Sequence, residues 1–418
     1  MGYNDFSPEV LGLAEKVQAM LDVKFAEIDR TAEINTARVL DAFREARVEE
    51  ACFAGTTGYG YDDMGRETLD KIYARVFGAE SALVRTGFVN GTHAIASMLY
   101  GTLRPGDTLL SATDAPYDTL RTVIGISGNE PGSLREYGIS YAQTDLRPDG
   151  TPDFEAITRA VKDPKVTAVL VQRSRGYSSR PALTVQQIGK IADAVHSAAP
   201  DTAVLVDNCY GEFTDIIEPT ELGADLMAGS LIKNPGGGLA PTGGYIAGKR
   251  ELVERAAARL TVPGIGGECG ATLGTNRQLF QGFFMAPHIV AQALKTAVFC
   301  AGMLTELGFT TSPGPLDRRS DIIQTVELKT PENLRRFCKG IQQGSPVDSF
   351  VTPEPWNMPG YESEVIMAAG AFIQGSSIEL SCDGPMREPY MAFIQGGLTY
   401  ESGKLGIMRA VNEMLDKA

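Results

Sequence analysis

Six short apolar runs constrain this chain most: "SALV" (81–84), "TLL" (108–110), "ISYA" (139–142), "VTAVLV" (166–171), "TAVLVD" (202–207) and "GGYIAG" (243–248). Between several of them lie stretches with helical spacing, "THAIASMLYGTL", "DFEAITRAVKD" and "TVQQIGKIADAVHSAA". A strand that is apolar on both faces needs cover on both, and the intervening helices supply it. The pattern predicts an α/β fold with a mostly parallel sheet flanked by helices. In such sheets ligands gather beyond the carboxyl ends of the strands, in the loops that lead into helices.

The flanking segments read differently. Residues 7 to about 47 read as helices, with Ser7 as N-cap, Pro8 at the first helical position, and Leu11, Ala14, Val17, Met20 and Leu21 at helical spacing. A glycine-rich loop, "AGTTGYGYDDMGRE", then leads into a helix through "ETLDKIYARVFG" that ends at Gly78. "FFMAPHIVAQALKTAVFCAGMLTELG" reads as a long helix leading to a smaller α+β domain, with strand-like "DIIQTVEL" and "SSIELS". At 418 residues the chain exceeds what one core usually holds. The expected division is a helical segment at 1–54, a large domain at 55–295 and a small C-terminal domain at 296–418.

Several function classes are disfavoured. The 38 basic residues are outnumbered by 52 acidic ones, a net charge of -14 that repels nucleic acid and anionic membrane. Six cysteines without a CxxC pair, and three separated histidines, argue against a zinc site and against a disulfide framework; no metal is expected. Scattered free cysteines fit a reducing cytoplasm. The first residues lack a basic start followed by an apolar run, so no secretory signal is read there. No stretch reaches the roughly 18 uninterrupted apolar residues of a membrane span. "GIGGECG" (264–270) approaches a dinucleotide-loop spacing but lacks a strand–helix context.

Three points fall at strand ends. Asp207 directly follows an apolar run. Lys233 follows later, in "GSLIKNPGGG", among small residues. Asn90, Gly91 and Thr92 stand just before a helix, where free amides and a hydroxyl would hold a phosphate. Each alone is ordinary: a strand-end acid caps a turn, and a lysine is usually solvated. In combination they match what pyridoxal 5'-phosphate needs: an amine to bond its aldehyde, a carboxylate to keep its pyridine nitrogen protonated, and a phosphate turn. The lysine must shed its proton to act as a nucleophile, and burial would favour that. Gly236, Gly237 and Gly238 would allow irregular backbone against the ligand.

The phrases "TTGYGYDDMGRE", "VNGTHAI", "APYDTL", "QRSRGY", "VDNCYGEF", "GSLIKNPGGGLAPTGGYIAG" and "SSIELSCDGPMREPY" resemble the methionine gamma-lyase-like family, whose members are often labelled aluminium resistance proteins or cystathionine beta-lyases. The resemblance runs from about residue 55 to 390. It implies a fold-type I pyridoxal phosphate enzyme with Lys233 bonded to the cofactor, Asp207 as pyridinium partner, and Ser230 with Gly91 and Thr92 on the phosphate. It further implies that Tyr117 stacks on the ring. Tyr59 and Tyr61 match a loop that reaches a neighbouring subunit's phosphate, which implies a homodimer, or a tetramer of dimers, with shared active sites.

The chain departs from the wider lyase group at three places. Ile232 replaces the threonine before the lysine, the cross-subunit loop carries Tyr59 and Tyr61 instead of a tyrosine–arginine pair, and Glu379 replaces the arginine that binds the substrate carboxylate. A glutamate cannot take that role, so Arg173, Arg175 and Arg387 become candidates. The implied reaction is β or γ elimination from a small sulfur amino acid to thiol, keto acid and ammonia. Lys233 would serve as general base and Tyr117 would assist. A sulfhydrylase, an aldolase, an aminotransferase or a non-catalytic binding protein on the same scaffold are the alternatives.

Overall fold

The apolar runs pair as strands in the computed structural model, which describes residues 5–128, 130–357 and 363–416. The large sheet contains β1 (Ser81–Arg85), β2 (Thr108–Ser111), β3 (Ser140–Gln143), β4 (Val166–Gln172), β5 (Ala203–Asp207), β6 (Leu226–Ser230) and β7 (Gly244–Gly248). Among the described residues its order is β1-β7-β6-β5-β4-β2-β3. Strands β3, β2, β4, β5 and β6 are mutually parallel. Strand β7 runs antiparallel to both β1 and β6. Val169, Leu170 and Val171 of β4 and Val204, Leu205 and Val206 of β5 are fully buried, as two-sided cover requires. Each such side chain contributes about 1.5–3 kcal/mol by leaving water. The "LMAGS" of β6 went unread because its small residues carry little apolar pattern.

Helices α1 (Pro8–Met20), α2 (Asp22–Glu45) and α3 (Met64–Val76) precede the sheet. Then α4 (Gly91–Thr102), α5 (Asp118–Ile124), α6 (Phe154–Ala160) and α7 (Val185–Ala198) follow β1, β2, β3 and β4 in turn, and α8 (Arg250–Leu260) follows β7. Their starts have side-chain caps where the sequence offers them: Ser7 for α1, Asp63 for α3, Asn90 for α4, and a Thr184–Gln187 capping box for α7. The buried stripe of α1 is Val10, Ala14, Val17 and Leu21. Met20, expected on that stripe, is 39% exposed.

The chain divides into two compact units, Thr36–Phe284 and Met1–Asn35 with Met285–Ala418. The divisions fall inside α2 and inside α9 (Asn276–Glu306), away from the expected boundaries at 54/55 and 295/296. Helix α1 is no segment on its own. It packs in the C-terminal unit, where the Ser7 amide donates to Asn412 Oδ1 at 3.0 Å. That unit carries an antiparallel sheet ordered β10-β11-β12-β9-β8. Its strands are β8 (Thr310–Ser312), β9 (Gln324–Glu327), β10 (Val365–Ala369), β11 (Ser381–Pro385) and β12 (Met391–Gln395). Helices α10 (Pro331–Gln343) and α11 (Tyr400–Leu415) pack against each other. "SSIELS" enters strand only at Ser381; Ile378 and Leu380 are buried from irregular backbone. Among the described residues only α9 is long and apolar enough to cross a membrane, and 78% of its most apolar window is buried inside the fold.

Candidate active site

Parallel register brings the strand ends level: Gln172 pairs with Asp207, and Asp207 with Ala228. Asp207 is only 5% exposed, and its Oδ1 accepts the Cys209 amide at 3.1 Å. Burial pushes the Asp207 carboxyl up; Lys233 and the Cys209 hydrogen bonds pull against that without cancelling it. Gln172 Oε1 accepts the Tyr117 amide at 2.9 Å, which fixes the start of α5 beside the same strand ends.

Two residues beyond β6 the backbone turns sharply. Lys233 precedes a short 3-10 turn, Asn234–Gly236, followed by Gly237 at φ 53°. A Cβ on Gly236 would lie 1.7 Å from the Leu231 carbonyl oxygen, so only glycine fits there. Asn234 is fully buried and donates to the Glu212 carbonyl at 2.9 Å. The glycines thus serve close backbone packing under the lysine loop. The Lys233 amine lies 3.8 Å from the centroid of the Tyr210 ring. Burial favours loss of its proton, as expected, while the charge around the amine, with Asp207 the anion among its neighbours, acts in the opposite sense and holds it above its ordinary pKa.

Asn90 accepts the His93 amide at 2.9 Å, capping α4. Gly91 and Thr92, in the first turn, have no intrahelical acceptor for their amides. A Cβ on Gly91 would lie 3.1 Å from Ser230 Cβ, so the helix start and the end of β6 touch at this residue. The Thr92 hydroxyl and the Tyr117 hydroxyl are 3.0 Å apart. Burial, and after it Asp207, raise the Tyr117 pKa, so its phenol stays protonated. These donors fit pyridoxal phosphate: amides and hydroxyls for a phosphate, an amine for the aldehyde, a buried carboxylate for the ring nitrogen and an aromatic side chain for the ring.

The candidate arginines separate. Arg173 is fully buried, and its guanidinium donates to Asn208 Oδ1 at 2.8 Å, Glu218 Oε2 at 3.3 Å and Thr214 Oγ1 at 3.0 Å. Arg175 is 2% exposed. Arg387 is exposed in the turn between β11 and β12, within the C-terminal unit. Glu379 is buried and accepts the amides of Phe372 and Ile373 at 2.8 and 3.0 Å, so it anchors a loop. Tyr59 and Tyr61 are 71% and 54% exposed, with rings stacked 5.6 Å apart. Asp63 caps α3, accepting the Arg66 amide at 2.9 Å.

Sequence reading passed over Gln172, Cys209, Tyr210 and Glu212, though all lie in or beside quoted phrases. Glu212 is fully buried, accepts the Tyr245 hydroxyl at 2.8 Å, and has no partner for Oε2 among the described residues. Burial pushes its carboxyl from 4.5 to about 8. Between those values the folded chain keeps a proton that the unfolded chain releases. This contribution to stability is therefore fully present below the unfolded pKa and is lost as pH rises towards 8. Glu212→Gln is expected to remove a fall of about 2 kcal/mol between about pH 6 and 8. Chemical denaturation at those two pH values checks this; parallel pH dependence in both proteins would refute it.

A buried aspartate, a lysine in a glycine-rich loop and a helix start with free amides, together at the carboxyl ends of this sheet, fit a pyridoxal phosphate-dependent enzyme of fold type I. The methionine gamma-lyase family profile matches residues 10–415, and the chain belongs to that family. It is thus a pyridoxal phosphate-dependent lyase. It is 50% identical to the uncharacterized Bacillus subtilis protein YnbB over 405 residues, 97% of this chain and 96% of that one. It is 30% identical to the Pseudomonas putida L-methionine gamma-lyase over 207 residues, 49% of this chain and 47% of that enzyme. The crystal structure of a carbon–sulfur lyase involved in aluminium resistance from Clostridium novyi superposes with a TM-score of 0.95 at 52% identity, covering 98% of this chain and 97% of that one.

Proposed function

We propose that the protein cleaves a carbon–sulfur bond in a small sulfur-containing amino acid, releasing thiol, keto acid and ammonia by β or γ elimination. The observation that carries this reading is the half-buried Lys233 amine ringed by Asp207, Tyr117 and Cys209 at the strand ends. Its likeness to a carbon–sulfur lyase and to an L-methionine gamma-lyase supports the choice of bond. When bound, pyridoxal phosphate supplies an electron sink for the carbanion formed at the substrate α carbon. Lys233 removes the α proton as general base. Asp207 holds the proton at the ring nitrogen. Tyr117, kept protonated, donates to the departing sulfur, while Gly91, Thr92 and Ser230 bind phosphate and Asn90 caps their helix.

Arg173 is bonded to Asn208, Glu218 and Thr214, and Arg175, in the same unit as Lys233, is the candidate for the substrate carboxylate. The exposed, stacked Tyr59 and Tyr61 support a homo-oligomer in which that loop completes a neighbour's site. Free cysteines throughout the described residues support a cytoplasmic setting. The test is incubation of the holoprotein with L-methionine, L-homocysteine, L-cysteine and L-cystathionine in turn. Thiol and keto acid released in equal amounts from one of them are expected. Pyruvate would mark β elimination at cysteine, and 2-oxobutyrate γ elimination at methionine. No thiol from any of the four, with homocysteine and the free carboxylic acid formed from sulfide and an O-acylated homoserine, would replace this reading with a sulfhydrylase.

A further inference from the structure

The turn that follows Asp207 is held in a conformation its sequence does not favour. Tyr210 has φ 72°, in the left-handed region, where a bulky aromatic residue is an outlier. The Gly211 amide closes the turn on the Asn208 carbonyl at 3.0 Å. A Cβ on Gly211 would lie 2.4 Å from Arg173 Cδ, so the arginine packs flat beneath the turn. Arg173 is itself fixed by Asn208, Glu218 and Thr214. Strain of this kind persists only where surroundings over-determine it, and it gathers at functional sites. What the strain achieves is visible one step away: the Tyr210 ring stands with its centroid 3.8 Å from Lys233 Nζ, well inside cation–π range.

We infer that Tyr210 is a positioning residue whose ring face receives the Lys233 ammonium while the lysine is free of the cofactor. The inference rests on the proposed role of Lys233 as general base. In that step the substrate C–H bond breaks, an N–H bond forms on Lys233, and the amine becomes a cation that must later surrender the same proton. Besides Tyr210, the groups that act most strongly on the charge of this amine are Cys209, Asp207 and Tyr117. Burial keeps the Cys209 thiol and the Tyr117 phenol protonated, which leaves Asp207 as the anion. Asp207 is committed to the cofactor's ring nitrogen. An aromatic face stabilises a cation without accepting its proton, so it can hold the ammonium and still release it. The phenolic hydroxyl has no part in this, and phenylalanine should serve as well.

The experiment uses full-length protein freed of cofactor with hydroxylamine, then given pyridoxal phosphate. The rate at which the visible band returns reports the neutral fraction of Lys233, and is followed against pH. Tyr210→Leu is expected to move the rising limb about one unit lower, about a tenfold faster return at any one pH on that limb. Tyr210→Phe should overlay the unaltered protein. Phenylalanines with increasing ring fluorination at position 210 should move the limb in steps, because fluorine drains the ring face without altering its shape. If the leucine variant does not fold, the fluorinated series decides alone. Superimposed limbs across leucine and the fluorinated series, or a phenylalanine limb displaced as far as leucine's, would overturn the inference. Failure to release thiol from any sulfur amino acid would sink the lyase reading and leave this measurement readable, since it needs only the cofactor.

Discussion

Lys233→Ala is expected to fold normally, to lack the visible absorbance of the cofactor-bonded protein, and to release thiol at least about a thousandfold more slowly. The fold should survive because the lysine loop is held by other residues: Asn234 bonded to the Glu212 carbonyl, and Gly236 packed on the Leu231 carbonyl. Deleting the side chain also removes a cation from a desolvated place. Circular dichroism, visible absorbance and thiol release, measured side by side, check all three statements. Added ethylamine should restore part of the rate by supplying the missing base. Lys233→Arg should not, since a guanidinium stays charged and cannot act as a nucleophile. A yellow Lys233→Ala protein with unchanged turnover would move the covalent bond to another lysine.

Some of this site was legible from the residues alone because it is local. Asp207 closes an apolar run that has to be a buried strand, and the register with β4 and β6 then sets it level with their carboxyl ends. Lys233 stood out through its small neighbours, and Asn90-Gly91-Thr92 through its place before an apolar helix. What stayed hidden depends on partners distant in sequence. Arg173 reads as an arginine at a strand end, and its commitment to Glu218 appears only when the chain between them folds back. The strained backbone at Tyr210 leaves no trace in residue type, since left-handed turns favour glycine or asparagine. The division of the chain was hidden for a related reason: α2 and α9 continue through the boundaries, with no turn residues to mark them. "SSIELS" misled because its alternation mimics a strand, while Glu379 turns inward to hold the amides of Phe372 and Ile373.

Asp207→Asn should be the second most damaging change, and its effect should fall on the chemical step. The substitution keeps shape and an oxygen to accept the Cys209 amide, so the strand end and turn should remain in place. It removes the negative charge that would hold a proton on the cofactor's ring nitrogen. Lys233 and the phosphate turn are untouched, so the protein should remain coloured and retain its cofactor through dialysis. Loss of a preorganised charge at a developing charge costs about 10²–10³ in turnover. The expected result is therefore a fall of that size in kcat with KM changed little, the pattern of an interaction made chiefly in the transition state. Asp207 also contributes to holding the proton on Lys233 and on Tyr117. Its loss should therefore shift the pH dependence of turnover towards lower pH, a change that a purely structural aspartate would not produce. A rise in KM at unchanged kcat and unchanged pH dependence would instead make Asp207 a substrate-binding group, and the ring-nitrogen partner would have to be sought elsewhere at the strand ends.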